Sequence, residues 1–145
     1  AIQFDADGQH RPEYITKLAE ATEEYDIVIG SRFVNEKKPF TLRMLGSWLI
    51  TKAIKLTTGT TIKDPTSGMR AFNSNMIKKF ATGLNYSPEP DTISFLIKKY
   101  GATICEIPVQ MQERIAGESY LNLSKSIAYM TKMAISILFI QFFRK

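Results

Sequence analysis

Apolar positions along this chain switch repeatedly between a two-residue and a three-to-four-residue period. Ala1 to Phe4 read as the end of a buried strand, closed by the turn-forming run Asp5-Ala6-Asp7-Gly8. Pro12 suits the first turn of a helix, where a missing N–H costs nothing. Ile15, Leu18 and Ala19 then recur at helical spacing up to about Tyr25. Asp26-Ile27-Val28-Ile29-Gly30 is a short β-branched run that predicts a strand. The stretch from Phe33 to Thr41 is polar and contains Pro39, so it predicts a loop. Leu42, Leu45, Leu49, Ala53 and Leu56 mark a long amphipathic helix stopped near Gly59.

The second half continues the alternation. Asp64-Pro65-Thr66-Ser67-Gly68 is turn chemistry, Met69 to Phe72 a strand, and Ser74 an N-cap for a short helix through Phe80. Pro88-Glu89-Pro90 is rigid and opens a helix with Ile93, Leu96 and Ile97 on one side, ended by Gly101. Ala102 to Met111 predicts a strand, residues from Gln112 to Ser119 a polar loop, and Leu121 onward a long helix. Strands alternating with helices imply an α/β layered domain whose sheet is mostly parallel. No internal repeat, low-complexity segment or linker divides the chain.

The last helix needs its own reading. Met133 to Phe143 is apolar except for Ser136 and Gln141, and Arg144-Lys145 follows. The run is shorter than the roughly 20 residues a spanning helix needs. It reads as a core or interfacial helix, the alternative being the stump of a membrane anchor.

Composition narrows the class. The chain has 145 residues with 44% hydrophobic content, enough for a packed core. Its one cysteine, Cys105, excludes an intrachain disulfide and a thiolate metal site, and fits a reducing, cytoplasmic compartment. Nineteen basic against fourteen acidic residues give +5, suited to phosphates or an anionic membrane. The basic residues are scattered rather than interleaved with stacking aromatics, so nucleic acid is not expected as a partner.

The densest chemistry lies at the chain's start. Asp5 and Asp7 stand two apart at a strand end, so extended geometry points both side chains to one side, and the turn at Gly8 brings Gln9 near. Three oxygen ligands at such a place suit a hard divalent cation. A cation held by few protein ligands keeps open positions that a diphosphate can fill. Strand ends of α/β sheets are where such ligands bind. A calcium loop would want glycine at its sixth position and glutamate at its twelfth, where this chain has His10 and Thr16. His10 reads as a packing or capping residue that lies close enough to touch the site.

The order of motifs carries a resemblance. Phe4-Asp5-Ala6-Asp7-Gly8-Gln9-His10 comes first, then Val28-Ile29-Gly30-Ser31-Arg32 and Asp64-Pro65-Thr66-Ser67-Gly68-Met69-Arg70. Tyr86-Ser87-Pro88-Glu89-Pro90-Asp91, Glu106-Ile107-Pro108-Val109 and Glu113-Arg114-Ile115-Ala116-Gly117-Glu118-Ser119 follow. The set resembles family-2 glycosyltransferases, nearest to the dolichyl- or polyprenyl-phosphate sugar transferase branch and its bacterial cell-envelope relatives. Where that branch often shows Ser-Lys-Leu in its last loop, this chain has Ser119-Tyr120-Leu121.

The resemblance implies a partial GT-A fold, a nucleotide-diphospho-sugar donor, Mg²⁺ or Mn²⁺, and inversion at the anomeric carbon. Residues 1–120 would be the C-terminal part of the catalytic domain and residues 121–145 a packing or membrane-proximal helix. Asp5, Asp7 and Gln9 would hold the metal. Arg32, Ser67, Gly68 and Arg70 would line the acceptor and phosphate site, and Arg114, Gly117 and Ser119 would close over the donor diphosphate. Arginines suit that role because their guanidinium forks phosphate oxygens. Inversion needs a base unless the acceptor is already an ionised phosphate; Asp64 and Asp91 are the candidates, and Asp91 reads equally as a helix N-terminal charge. The acceptor would be a lipid phosphate or an envelope glycan, and the enzyme would work at the cytoplasmic face of the membrane. The family's first strands carry its nucleotide-base pocket, so this chain alone is expected to be inactive and to self-associate through an exposed sheet edge. The alternatives are a non-catalytic binding or assembly module of the same fold, and a phosphatase-like hydrolase, against which stands the lack of a nucleophile motif beside the two aspartates.

Overall fold

A computed structural model describes the backbone of residues 1–5, 10–82, 89–111 and 123–143. Four strands are present among them: β1 (Ile2–Gln3), β2 (Ile27–Ser31), β3 (Arg70–Phe72) and β4 (Ile104–Pro108). Five helices accompany them: α1 (Tyr14–Ala21), α2 (Leu42–Thr58), α3 (Ser74–Thr82), α4 (Pro90–Tyr100) and α5 (Leu123–Phe143). The chain divides into two compact units. One comprises Ala1–Glu36, Ser67–Ser87 and Ala102–Glu118, the other Lys37–Thr66, Pro88–Gly101 and Ser119–Lys145.

The first unit holds the sheet, in the order β1-β3-β2-β4. β2 is its centre: all five residues are buried, as their β-branched run requires of a strand paired on both edges. β2 runs parallel to β4, with Ile27 opposite Ile104 and Ser31 opposite Pro108. β3 runs antiparallel to both β1 and β2. The α/β class therefore holds, but the sheet is mixed rather than mostly parallel. The reason is β3, a three-residue strand inserted between two strands of the opposite direction. Leu18 of α1 packs with Val28, Met69, Ala71 and Val109 in the core of this unit.

One polar cluster ties this unit together where β2 begins. The Asp26 carboxylate accepts from the Thr103 backbone N–H at 2.9 Å, the Thr103 hydroxyl at 3.2 Å and Asn73 Nδ2 at 2.8 Å. The Asp26 N–H donates to Thr103 Oγ1 at 3.0 Å. Asn73 Oδ1 in turn accepts from the Met76 N–H at 3.0 Å, so Asn73 caps α3. Ser74, expected as the cap, is instead the first residue of that helix. The amide of Asn73 serves both the cap and Asp26, which a serine hydroxyl is too short to do.

The second unit is helical. α2 starts on Thr41, whose Oγ1 accepts from the Met44 N–H, and ends on Gly59 in the left-handed region at φ 76°. α4 has Pro90 in its first turn and ends on Gly101 at φ 65°. α5 packs against both. The α2–α5 approach is close: a Cβ at Gly46 would lie 2.6 Å from Met130 Cγ. α2 turns an unexpected face inward. Ile50 and Ile54 are buried beside Ala53, which the sequence also marks, whereas Leu45, Leu49 and Leu56, marked with it, are exposed. α5 buries Ser126, Met130 and Ile137 and exposes Ile127, Ile135 and Phe139. No helix among the described residues is long and apolar enough to cross a membrane.

Candidate active site

β1 and β2 both run antiparallel to β3, and β4 runs parallel to β2, so three strands end at one margin of the sheet. Asp5 follows β1 there, Arg32 follows β2, and Gln110 follows β4. Gly68 stands just before β3 at the same margin. Residues 6–9 and 112–120, which continue from β1 and β4, lie outside the described residues. Asp7, Gln9, Arg114, Gly117 and Ser119 are among them.

The Asp5 carboxylate is half exposed, with a side-chain accessibility of 52%. It lies directly over Gly68: a Cβ at that position would fall inside contact distance of Asp5 Oδ2. Gly68 thus leaves room for the carboxylate in this position, and its backbone is not in the positive-φ region. His10 organises the other side of Asp5. Its ring is buried and stands edge-on to Phe4, with centroids 5.2 Å apart. Its Nδ1 accepts from the Asp5 N–H at 3.0 Å. That bond leaves the proton of a neutral imidazole on Nε2, which is 3.9 Å from Asp5 Oδ2. His10 is therefore a packing residue that also orients Asp5.

Ser67 is buried, and its hydroxyl is committed. It donates to the Gly30 carbonyl at 2.5 Å and accepts from the Met69 N–H at 3.2 Å, fastening the turn before β3 to β2. Gly30 is equally constrained, because a Cβ there would meet Met69 Sδ at 2.9 Å and Val109 Cγ1 at 3.1 Å. Arg70 is buried on β3.

Beside these residues lies a polar cleft of about 320 Å³. Arg11, Lys17 and Arg32 supply positive charge to its walls, and Glu13 and Glu36 supply negative charge. Arg11 Nη1 donates to Glu13 Oε1 at 3.2 Å. Tyr14 forms part of the wall and is held by the Gln110 N–H, which donates to its hydroxyl at 3.1 Å. The Arg32 guanidinium lies 5.2 Å from the Phe33 ring centroid. Of these residues only Arg32 was legible as functional in the sequence. The available signal for the others was the i, i+3 spacing of Tyr14 and Lys17 on the helix that follows the first strand end.

The two candidate bases belong to the helical unit. Asp64 is fully buried, with the Thr66 hydroxyl 3.5 Å from its Oδ1. Asp91 lies in the first turn of α4, where its Oδ1 accepts from the Thr92 N–H at 2.7 Å and its Oδ2 from Ser136 Oγ at 2.9 Å. Both oxygens are engaged in holding the helix start and α5. Nearby, the Tyr129 hydroxyl bonds Glu89 Oε2. Cys105 on β4 is no activated nucleophile, because burial and then the charges of Glu106 and Glu24 push its thiol above the usual range.

Among the described residues no three His, Cys, Asp or Glu side chains gather to hold a metal. Asp5 alone fits one end of such a set: it is a hard oxygen donor, half open to solvent, at a strand end.

Strand ends that collect a carboxylate lying over a glycine, and guanidinium groups, on a mixed sheet flanked by helices, fit a partial GT-A fold. The chain matches the family described as Glycosyl transferase family 2 over residues 2–80, and it belongs to that family. It is 31% identical over 128 residues to an undecaprenyl-phosphate mannosyltransferase of Micrococcus luteus, covering 83% of this chain and 52% of the relative. It is 35% identical over 130 residues to an undecaprenyl-phosphate 4-deoxy-4-formamido-L-arabinose transferase of Edwardsiella ictaluri, covering 89% and 38%. It is also 35% identical over 129 residues to a dolichol-phosphate mannosyltransferase of Pyrococcus furiosus, covering 83% and 36%. The chain thus spans about half or less of the length of these curated relatives.

Proposed function

We propose that this chain is the C-terminal part of the catalytic domain of an inverting glycosyltransferase that moves a sugar from a nucleotide-diphospho-sugar to a polyprenyl phosphate at the cytoplasmic face of the membrane. The observation that carries the reading is the half-open Asp5 carboxylate seated on Gly68, at the same sheet margin as Arg32. The undecaprenyl and dolichol phosphates in the names of these relatives favour a lipid phosphate over a glycan.

In this reading Asp5, Asp7 and Gln9 hold Mg²⁺ or Mn²⁺, which when bound neutralises charge on the departing diphosphate. Arg32 receives the acceptor phosphate, with Ser67, Gly68 and Arg70 shaping the turn around it. Arg114, Gly117 and Ser119 close over the donor. An acceptor phosphate oxygen attacks the anomeric carbon from the face opposite the leaving group. The bond from that carbon to the diphosphate oxygen breaks, and its electron pair departs with the nucleoside diphosphate. An ionised phosphate needs no proton removed. The commitment of both Asp91 oxygens to Thr92 and Ser136 favours such a base-free attack.

The test uses a version extended to the relatives' length, a panel of nucleotide sugars and a polyprenyl phosphate. The expected product is a lipid-linked sugar of inverted anomeric configuration. Its formation should stop on chelation of divalent cations and fall about a hundredfold or more in Arg32→Ala. Failure to form the product with every donor in the panel would refute the reading. The 145-residue chain alone is expected to be inactive.

A further inference from the structure

Tyr14 joins two stretches of chain that the proposed function gives to one ligand. It is the first residue of α1, so Asp5, Asp7 and Gln9 lie just before it in the chain. The residue packs against the core cluster of Leu18, Val28, Met69, Ala71 and Val109 and also forms part of the cleft wall. Its hydroxyl accepts from the Gln110 N–H at 3.1 Å. The chain leaving β4 is thereby fastened twice in succession. The Val109 N–H donates to the Ser31 carbonyl at 3.0 Å, and the next N–H donates to Tyr14. Arg114 follows four residues later in the chain.

The two fastenings differ in kind. The bond from Val109 continues the parallel ladder of β2 and β4, whose register ends with Ser31 opposite Pro108. The bond from Gln110 lies past that ladder, at an exposed residue, where water could serve the N–H equally well. Folding therefore gains little from the Tyr14 hydroxyl, since the ring alone supplies the packing. What water cannot supply is position. The ring is held by the core, so the phenol oxygen fixes where the chain leaves β4 relative to the start of α1. A diphosphate gripped on one side by a metal and on the other by a guanidinium is sensitive to that spacing, because forked contacts weaken when misplaced by about 1 Å.

We infer that, within the function proposed above, Tyr14 is a positioning residue for the donor: its hydroxyl sets the approach to Arg114 against the metal-binding stretch. Tyr14→Phe keeps the ring and removes only the bond. The test is calorimetric titration of a version extended to the relatives' length with UDP, GDP, CDP and ADP, each in the presence of Mn²⁺. The variant should bind the nucleotide that the parent binds about threefold to tenfold more weakly. Its urea midpoint and its affinity for Mn²⁺ alone should stay unchanged. In an Arg114→Ala background the same substitution should have no effect, because Tyr14 acts through that stretch. Equal affinity in the parent and Tyr14→Phe would overturn the inference and leave the transfer reading standing. A loss matched by a fall in the urea midpoint or in Mn²⁺ affinity would overturn it too, by marking a general structural role, as would an undiminished loss in the Arg114→Ala background. A parent that binds none of the four nucleotides with Mn²⁺ would sink the transfer reading and this inference together.

Discussion

Gly68 and Asp5 limit each other. The carboxylate occupies the space a Cβ would need, so Gly68→Ala must push Asp5 off the sheet margin or move the turn that Ser67 fastens to β2. The carboxylate ends a half-exposed side chain that can swing aside, so the cost should stay within about 1 kcal/mol, read as a small drop in the urea midpoint at unchanged slope. The Asp26 cluster makes a second residue-scale prediction. Burial opposes ionisation of Asp26, but hydrogen bonds from the Thr103 N–H, Asn73 and the Thr103 hydroxyl, and the charge of Lys79, outweigh it and hold the carboxyl below its ordinary 3.8. Its contribution is therefore complete above that ordinary value and is lost as pH falls through the lower folded one. Asp26→Ala should destabilise the chain by about 1–3 kcal/mol at neutral pH, with the difference from the parent shrinking in acid. A difference that stays constant down to strong acid would show that the charge does not matter. Sequence alone named Asp5 and Gly68, because each sits in a local turn signal. It did not reveal their contact, which exists only because β1 and β3 pair across a long stretch of chain.

At the scale of elements, periodicity located what local chemistry controls. Thr41 and Gly59 bound α2, and Pro90 and Gly101 bound α4, as caps and breakers dictate. What periodicity left open was which side of α2 faces inward, because that helix carries two apolar stripes. Ile50, Ala53 and Ile54 won the core. The choice follows from Gly46, the small residue that lets α5 approach on that side. Gly46→Ala should thus cost about 1–3 kcal/mol through its clash with Met130. A double-mutant cycle with Met130→Ala should recover a large part of that loss, and additive effects would place the strain elsewhere. Strand direction was the other illegible feature. A three-residue strand such as β3 holds no directional pattern, and its pairing on both sides is settled by distant neighbours.

For the molecule as a whole, the proposed chemistry is a statement about linkage. A ligand that binds only the folded state at a hundred times its dissociation constant stabilises it by about 2.7 kcal/mol. For a domain of the relatives' length that corresponds to a rise in Tm of roughly 5–10 °C. Mn²⁺ together with a nucleoside diphosphate should produce such a rise in a version extended to that length. Either component alone should produce much less, since the diphosphate fills positions the metal leaves open. Asp7→Ala removes one of two carboxylates proposed for the metal and should abolish the shift. Asp5→Ala should do the same while also freeing the space above Gly68, so the combined Asp5→Ala and Gly68→Ala variant should fold without strain yet stay silent to the ligand pair. A full Tm rise in both Asp7→Ala and Asp5→Ala would mean that the ion binds elsewhere, and the half-open carboxylate at the end of β1 would then be a surface group with no part in sugar transfer.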